Sequence, residues 1–217
     1  DVAYKALSNY KAGTVGVINY KTGETLVMTS TPSYDPQNKP SDIDDNDAYS
    51  GAYINRLLTG LYTPGSTFKI VAAICAIENI PDIYDRTFKC TGEYDPGSGT
   101  PIECNARHGT LTFEQALAKS CNSTFAQIAI ELGPQKLADT AKELGLTSKV
   151  TLNNDIDSST GRFFLESEDA DDYVGWTGIG QGDTLVSPIA MLRLVGAIAN
   201  DGTAVSLNLV ESFATKA

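Results

Sequence analysis

Ser66 and Lys69 have the residue types and the spacing for covalent catalysis. They lie in Tyr62-Thr63-Pro64-Gly65-Ser66-Thr67-Phe68-Lys69, ahead of an apolar run of mainly Ile, Val and Ala that ends near Glu78. Pro64 and Gly65 punctuate a turn, and the run after them is long enough for a buried helix, so Ser66 is expected at the helix start. There the orphan N–H groups and the positive end of the helix dipole favour developing negative charge. Residues three apart share a helix face, so the Lys69 amine can reach the Ser66 hydroxyl and serve as its base. Ser-x-x-Lys is common by chance and serine is a frequent helix cap, so the pair counts as a site only if other residues join it.

The elements that would have to position this pair can be read along the chain. Residues 14–19 and 24–30 are two β-rich runs around Tyr20-Lys21-Thr22-Gly23, a hairpin signal with glycine in the turn, and the second run ends before Tyr34-Asp35-Pro36. Residues 36–50 form a polar loop. Its Asp42, Asp44, Asp45 and Asp47 lack the glycine and terminal glutamate of a calcium loop, so a solvated acidic loop is expected. Thr112-Phe113-Glu114-Gln115 reads as a capping box opening a helix over 113–119, which delivers Ser120-Cys121-Asn122 to a turn before a second helix over 124–132. A third helix starts with Pro134 in its first turn and stops at Gly145. These helices predict a helical subdomain inserted after the first strands. Residues 151–175 show no periodicity, and Glu166 and Glu168 within them read as solvated. Residues 178–182 are a glycine-rich turn with no nucleotide-fold strand before it, followed by Ser187-Pro188, a helix to about Asn200, and one more strand over 205–213.

Composition narrows the functional classes. The 217 residues are 41% hydrophobic, enough for a substantial core, and carry 16 basic against 27 acidic side chains for a net charge of -11. A polyanionic partner is disfavoured, no basic stripe suggests nucleic acid, and no segment has the length of a membrane-crossing helix. The chain opens with Asp1-Val2-Ala3-Tyr4 instead of a signal peptide and is expected to be a soluble excised piece. Cys75, Cys90, Cys104 and Cys121 allow three fully paired connectivities, and no Cys-x-x-Cys suggests zinc. Cys75 and Cys121 lie in apolar helical surroundings and read as inert buried thiols. Cys90 and Cys104 bracket a loop rich in Gly and Pro that a disulfide could staple in an oxidising compartment. No metal or cofactor is expected. His108, the only histidine, and Trp176, the only tryptophan, read as structural.

The second serine turns the pair into a constellation. Ser66-x-x-Lys69 followed by Ser120-x-Asn122 is the signature of the penicillin-recognising serine enzymes, and the chain resembles the transpeptidase domain of a class B penicillin-binding protein over nearly its whole length. The resemblance also rests on residues 17–24 with Pro32-Ser33-Tyr34-Asp35-Pro36, on Asn55-Arg56, His108-Gly109 and Lys119, and on Gly180-Gln181-Gly182 with Ser187-Pro188. It implies an α+β transpeptidase fold, in which an antiparallel sheet is flanked by helices. Residues 1–60 would supply the hairpin and loop, 61–150 the nucleophile helix and helical subdomain, and 151–217 the acidic loop, glycine-rich turn and following helix. The family's Lys-Thr-Gly motif lies on a late strand, whereas Lys21-Thr22-Gly23 here is an early hairpin turn, so the sheet is expected to be incomplete in this chain.

The resemblance further implies catalytic roles for Ser66, Lys69 and Ser120 and substrate binding by Asn122, Gly180, Gln181 and Gly182. Its reaction is peptidoglycan cross-linking between stem peptides ending in D-Ala-D-Ala, with β-lactams acylating Ser66. The implied location is the extracytoplasmic face of the bacterial membrane, held by an upstream anchor, beside a glycosyltransferase or another division or elongation partner. A D,D-carboxypeptidase or a β-lactam sensor that acylates once would share the same four side chains. A β-lactamase is disfavoured, because no Glu-x-x-Leu-Asn pattern supplies a base for water.

Overall fold

The computed structural model describes residues 1–166 and 168–210. In chain order the elements begin with helix α1 (Val2–Leu7), strands β1 (Gly13–Ile18) and β2 (Thr25–Thr31), and helix α2 (Lys69–Asn79). Strands β3 (Thr87–Cys90), β4 (Glu93–Tyr94), β5 (Ile102–Glu103) and β6 (Gly109–Thr112) follow, then helices α3 (Phe113–Ala118), α4 (Asn122–Leu132) and α5 (Pro134–Glu143). Strands β7 (Thr151–Leu152) and β8 (Ile156–Asp157) and helices α6 (Asp171–Gly178) and α7 (Pro188–Ala199) complete the series. The mixture is α+β, with four two-stranded antiparallel ladders among the described residues. Two compact units divide it: Asp1–Leu61, Ser148–Thr160 and the chain from Ser187 form one, while Tyr62–Thr147 and Gly161–Val186 form the other.

In the first unit β1 and β2 make the expected hairpin, in a register that sets Val17 against Val27 and Val15 against Thr29. Such β-branched pairs suit a pleated surface. Gly23 closes the turn at φ +80°, and a Cβ there would meet the Ser206 carbonyl oxygen at 1.9 Å, so only glycine fits. Lys21-Thr22-Gly23 is therefore the tight turn that its position predicts. Gly16 leaves room for Leu57 and Leu192, whose methyls would otherwise lie 2.7 and 3.1 Å from its Cβ, and α7 rests on β1 there. Among the described residues no third strand joins β1 and β2. The expected strand over 205–213 is reduced to single bridges, Leu207 to Leu152 and Asn208 to Glu24, and 211–213 lie outside the described residues.

The second unit is built around α2 and α4. Val71, Ala72, Cys75 and Ala76 of the one and Phe125, Ala126, Ile128 and Ala129 of the other are fully buried. Helix α6 packs on α4 through small residues. A Cβ on Gly178 would lie 2.2 Å from the Ala129 Cβ, and one on Gly175 would lie 3.3 Å from Ile130 Cδ1 of α4 and 2.5 Å from Ile102 Cδ1 of β5, so α6 approaches both elements because those positions are glycine. The capping box forms as read: Gln115 N–H donates to Thr112 Oγ1, and Thr112 N–H donates to Gln115 Oε1. The excursion between α2 and α3 is closed by two ladders, β3 with β6 and, inside it, β4 with β5.

Candidate active site

The turn that carries Ser66 is a 3₁₀ turn, Gly65–Phe68, and the α-helical register of α2 begins at Lys69. Gly65 takes φ +54°, and its N–H donates to the Gly180 carbonyl at 2.8 Å, tying this turn to the segment after α6. Gly180 is itself at φ +79°, and a Cβ on it would stand 2.0 Å from the Gly65 oxygen. Phe68 anchors the turn from below, fully buried and stacked on Phe163 with ring centroids 5.3 Å apart. The Ser66 side chain stays exposed above a buried base.

Ser120 is held differently. Its N–H donates to the Leu117 carbonyl at 3.0 Å and the Cys121 N–H donates to the Ala116 carbonyl at 2.9 Å, which is the Schellman ending of helix α3. In that motif the residue in the left-handed region is usually glycine, yet Ser120 occupies it at φ +51°. The following residue, Cys121, is the N-cap of α4, so Ser120 and Asn122 project from the junction between two helices.

Lys69 joins the two turns. Its Nζ donates to Ser66 Oγ at 2.8 Å, to Ser120 Oγ at 3.2 Å and to Asn122 Oδ1 at 2.7 Å. Asn122 Nδ2 donates to the Glu103 carbonyl at 2.9 Å, which fixes its amide with the oxygen toward the lysine. Lys69 is only 1% exposed, and no carboxylate forms an ion pair with it among the described residues. An ammonium has three N–H donors, and here three neutral oxygens take them. Burial therefore lowers its pKa below the ordinary lysine value of 10.5, while the Cys104 and Cys121 sulfurs pull weakly the other way. When Lys69 loses a proton, one of the three contacts must reverse. Asn122 Oδ1 cannot donate, so a serine hydroxyl must, and Ser66 Oγ is the closer of the two.

The structure thus brings together Ser66, Lys69, Ser120 and Asn122, with Gly180 against the nucleophile turn. Gln181 is exposed beside it, its Nε2 lying 3.9 Å from where a Gly65 Cβ would stand; Gly182, at φ +69°, packs toward Tyr173 and Thr177. Residues 178–182 differ from the expected turn in one respect: Gly178 is the last residue of α6.

The cysteines depart from the sequence reading. Cys90 and Cys104 are free thiols, so the expected staple is not formed, and the β3–β6 and β4–β5 ladders close the loop in its place. Both belong to a cluster with His108 and Cys121. Burial raises the Cys90 thiol pKa, but hydrogen bonding with Ser123, with the His108 and Gly92 backbone and with the His108 ring brings it down to about 6. Burial pushes Cys121 up to about 11 against its Thr124 contacts. Sequence reasoning missed this cluster, together with the Glu103 carbonyl behind Asn122 and the Phe163 ring under Phe68.

Residues 13–216 match the family model described as the penicillin binding protein transpeptidase domain. The chain is 28% identical over 218 residues to the peptidoglycan D,D-transpeptidase PbpA of Mycolicibacterium smegmatis, covering 92% of this chain and 43% of that protein. It is 31% identical over 194 residues to the stage V sporulation protein D of Bacillus subtilis, covering 86% of this chain and 28% of that one. It thus spans less than half the length of either. Among solved structures, a penicillin G acyl-enzyme complex of penicillin-binding protein A from M. tuberculosis superposes with a TM-score of 0.79 at 27% identity, over 92% of this chain and 48% of that one. PBP2 of Pseudomonas aeruginosa superposes with a TM-score of 0.83 at 25% identity, over 97% and 51%.

Proposed function

The chain belongs to the family of penicillin-binding protein transpeptidase domains, and from that premise we propose that Ser66 is the nucleophile of a peptidoglycan D,D-transpeptidase. The observation that carries this reading is the Lys69 ammonium: buried, without a paired carboxylate among the described residues, and hydrogen-bonded at once to Ser66, Ser120 and Asn122. Lys69, once neutral, takes the Ser66 hydroxyl proton as Oγ attacks the carbonyl carbon of the penultimate D-Ala of a stem peptide. The Ser66 N–H at the helix start is one donor to the resulting oxyanion; losing such a donor costs roughly a hundredfold or more in rate.

Collapse of the tetrahedral intermediate breaks the C–N bond to the terminal D-Ala. Ser120 Oγ, 3.2 Å from Lys69 Nζ, relays a proton from the lysine to the departing amine and leaves an ester on Ser66. An amine of a neighbouring stem peptide then attacks the ester, forms the cross-link and restores the Ser66 hydroxyl. Asn122, and the Gly180-Gln181-Gly182 segment beside the nucleophile turn, hold the substrate backbone. A β-lactam offers a similar amide whose leaving group stays tethered, so it acylates Ser66 and remains. Substrate and inhibitor both put the domain at work on the extracytoplasmic face of the bacterial membrane.

Intact-mass spectrometry after incubation with penicillin G tests this. A single covalent adduct is expected on the chain, or on a longer one that carries the family's late Lys-Thr-Gly strand, and it should vanish in Ser66→Ala. No adduct on either protein would sink the proposal.

A further inference from the structure

The four residues Cys90, Cys104, His108 and Cys121 come from four separate pieces of the second unit. Cys90 ends β3, Cys104 follows β5, His108 precedes β6, and Cys121 caps α4 between Ser120 and Asn122. Their ligand atoms all lie within 4.8 Å of one another. Zinc sits about 2.3 Å from a thiolate and about 2.0 Å from an imidazole nitrogen, so a tetrahedral site holds sulfurs about 3.8 Å apart and sulfur and nitrogen about 3.5 Å apart. The observed separations are 3.8 Å from Cys104 Sγ to Cys121 Sγ and 3.5 Å from His108 Nδ1 to each of Cys90 Sγ and Cys104 Sγ. We propose that Cys90, Cys104, His108 and Cys121 form a structural zinc site that braces the junction carrying Ser120 and Asn122.

Chemistry favours a cation over the alternatives. Three thiols cannot all pair into disulfides among themselves, and the fourth cysteine of the chain, Cys75, lies outside the cluster. As neutral groups the three would offer only weak S–H donors to one another. A soft set of three sulfurs and one imidazole in a tetrahedral arrangement selects Zn²⁺ among the common biological cations, and with four protein ligands the site is closed, as structural zinc sites are. The surroundings fit ligating sulfurs. Ser123 Oγ lies 3.5 Å from Cys90 Sγ, and Thr124 Oγ1 lies 3.3 Å from Cys121 Sγ. Such outer contacts orient ligands and disperse thiolate charge.

The site also has something to hold. The Asn122 amide that faces Lys69 is itself pinned by the Glu103 carbonyl, one residue before Cys104. A metal joining Cys104 to Cys121 would lock that same strand to that same helix cap. It would also oppose relaxation of the left-handed Ser120.

The test is the metal content of the full 217-residue chain purified without chelator. One zinc per chain is expected, with three sulfurs and one nitrogen in its first shell by X-ray absorption. Zinc should be lost in Cys90→Ser and in Cys121→Ser and kept in Cys75→Ser. Chelation should make three further thiols reactive, and added Zn²⁺ should mask them again. A chain that purifies with no zinc and takes up none when reduced overturns the proposal, as does a disulfide within the cluster or zinc that survives both ligand substitutions. If a ligand variant does not fold, the wild-type stoichiometry and the absorption spectrum decide the matter. Neither reading involves a substrate, so they stand or fall independently of the acylation chemistry.

Discussion

Two turns deliver a serine to the same lysine, and they are built on opposite principles. The Ser66 turn is relaxed where it carries chemistry. Gly65 and Gly180 absorb the unusual backbone angles and are joined by a hydrogen bond, and Phe68 is stacked beneath. The Ser120 turn places the functional residue itself in the left-handed region, where a side chain costs of order 1 kcal/mol or more. Strain at the second serine persists because the junction around it is over-determined by the α3 ending, the Asn122–Glu103 bond and the cysteine–histidine cluster. A nucleophile needs an exposed hydroxyl over a firm base; a proton relay needs its oxygen fixed against a partner.

The largest effects separate the roles of the two turns. Ser66→Ala removes the atom that forms the covalent bond, so no penicillin adduct should appear by mass spectrometry at any time. Lys69→Ala leaves the hydroxyl without a base and should slow acylation by roughly 10²–10⁴. Adduct formation by the Lys69→Ala chain at the wild-type rate would show that the buried amine is not the base.

The pH profile probes the lysine that both turns share. Its pKa lies below 10.5 because burial penalises the charged form. The acylation rate should therefore rise about tenfold per pH unit on the acid side and level off at an apparent pKa below that of free lysine. The same shift has a sign for stability. Between the lowered value and 10.5 the unfolded chain binds the extra proton, so stability rises with pH across that window. A limb that levels off only above pH 10.5 would mean that burial does not tune the group.

Next in size is the Ser66 turn itself. Gly180→Ala puts a Cβ 2.0 Å from the Gly65 oxygen at φ +79°, so the Gly65–Gly180 bond must break or lengthen. A loss of about 2 kcal/mol in stability is expected, with slower acylation. Unchanged values of both would mean that the two segments do not depend on each other.

How much of this was legible in the sequence follows from the range of each interaction. Ser66 and Lys69 could be read because three residues along a helix is a local distance, and the capping box at Thr112 is equally local. The hairpin turn could be read from Gly23 and from the early position of Lys21-Thr22-Gly23. Helix α6 could not. Gly175 and Gly178 each lower helix propensity by about 1 kcal/mol, and the helix exists because those same glycines let it close on Ala126 and Ala129 of α4. The cysteine–histidine cluster was hidden for a different reason. Its members are separated by 14, 4 and 13 positions, so only Cys104 and His108 form a close pair and no Cys-x-x-Cys marks the site, and the β3–β6 and β4–β5 ladders bring the rest together. The left-handed Ser120 left no local signal, since the residue expected there is glycine.

Removing zinc should act on the Ser120 turn and spare the Ser66 turn. Chelation of the folded chain is expected to slow acylation by roughly tenfold, the size of effect seen when support behind a site is lost. Re-addition of Zn²⁺ should restore the rate. The response should shrink in a Ser120→Ala background, where the junction has only the Asn122 amide left to hold against Lys69. A chelation effect of undiminished size in Ser120→Ala would show that the metal does not act through the Ser120 hydroxyl.

The smallest effect is the most discriminating. Ser120→Gly relieves the left-handed strain, of order 1 kcal/mol, but gives the unfolded chain more freedom, worth about 0.4–1 kcal/mol. It also deletes the contact from Lys69 Nζ, long at 3.2 Å and made by a base that burial inclines to neutrality. These terms nearly cancel, so thermal unfolding of Ser120→Gly should fall within a degree or two of wild type. Ser120→Ala keeps the strain and loses the contact, and should melt lower than Ser120→Gly. Both should acylate more slowly. If glycine melts well below alanine, the left-handed angle at Ser120 is not a source of strain, and the two turns differ only in their side chains.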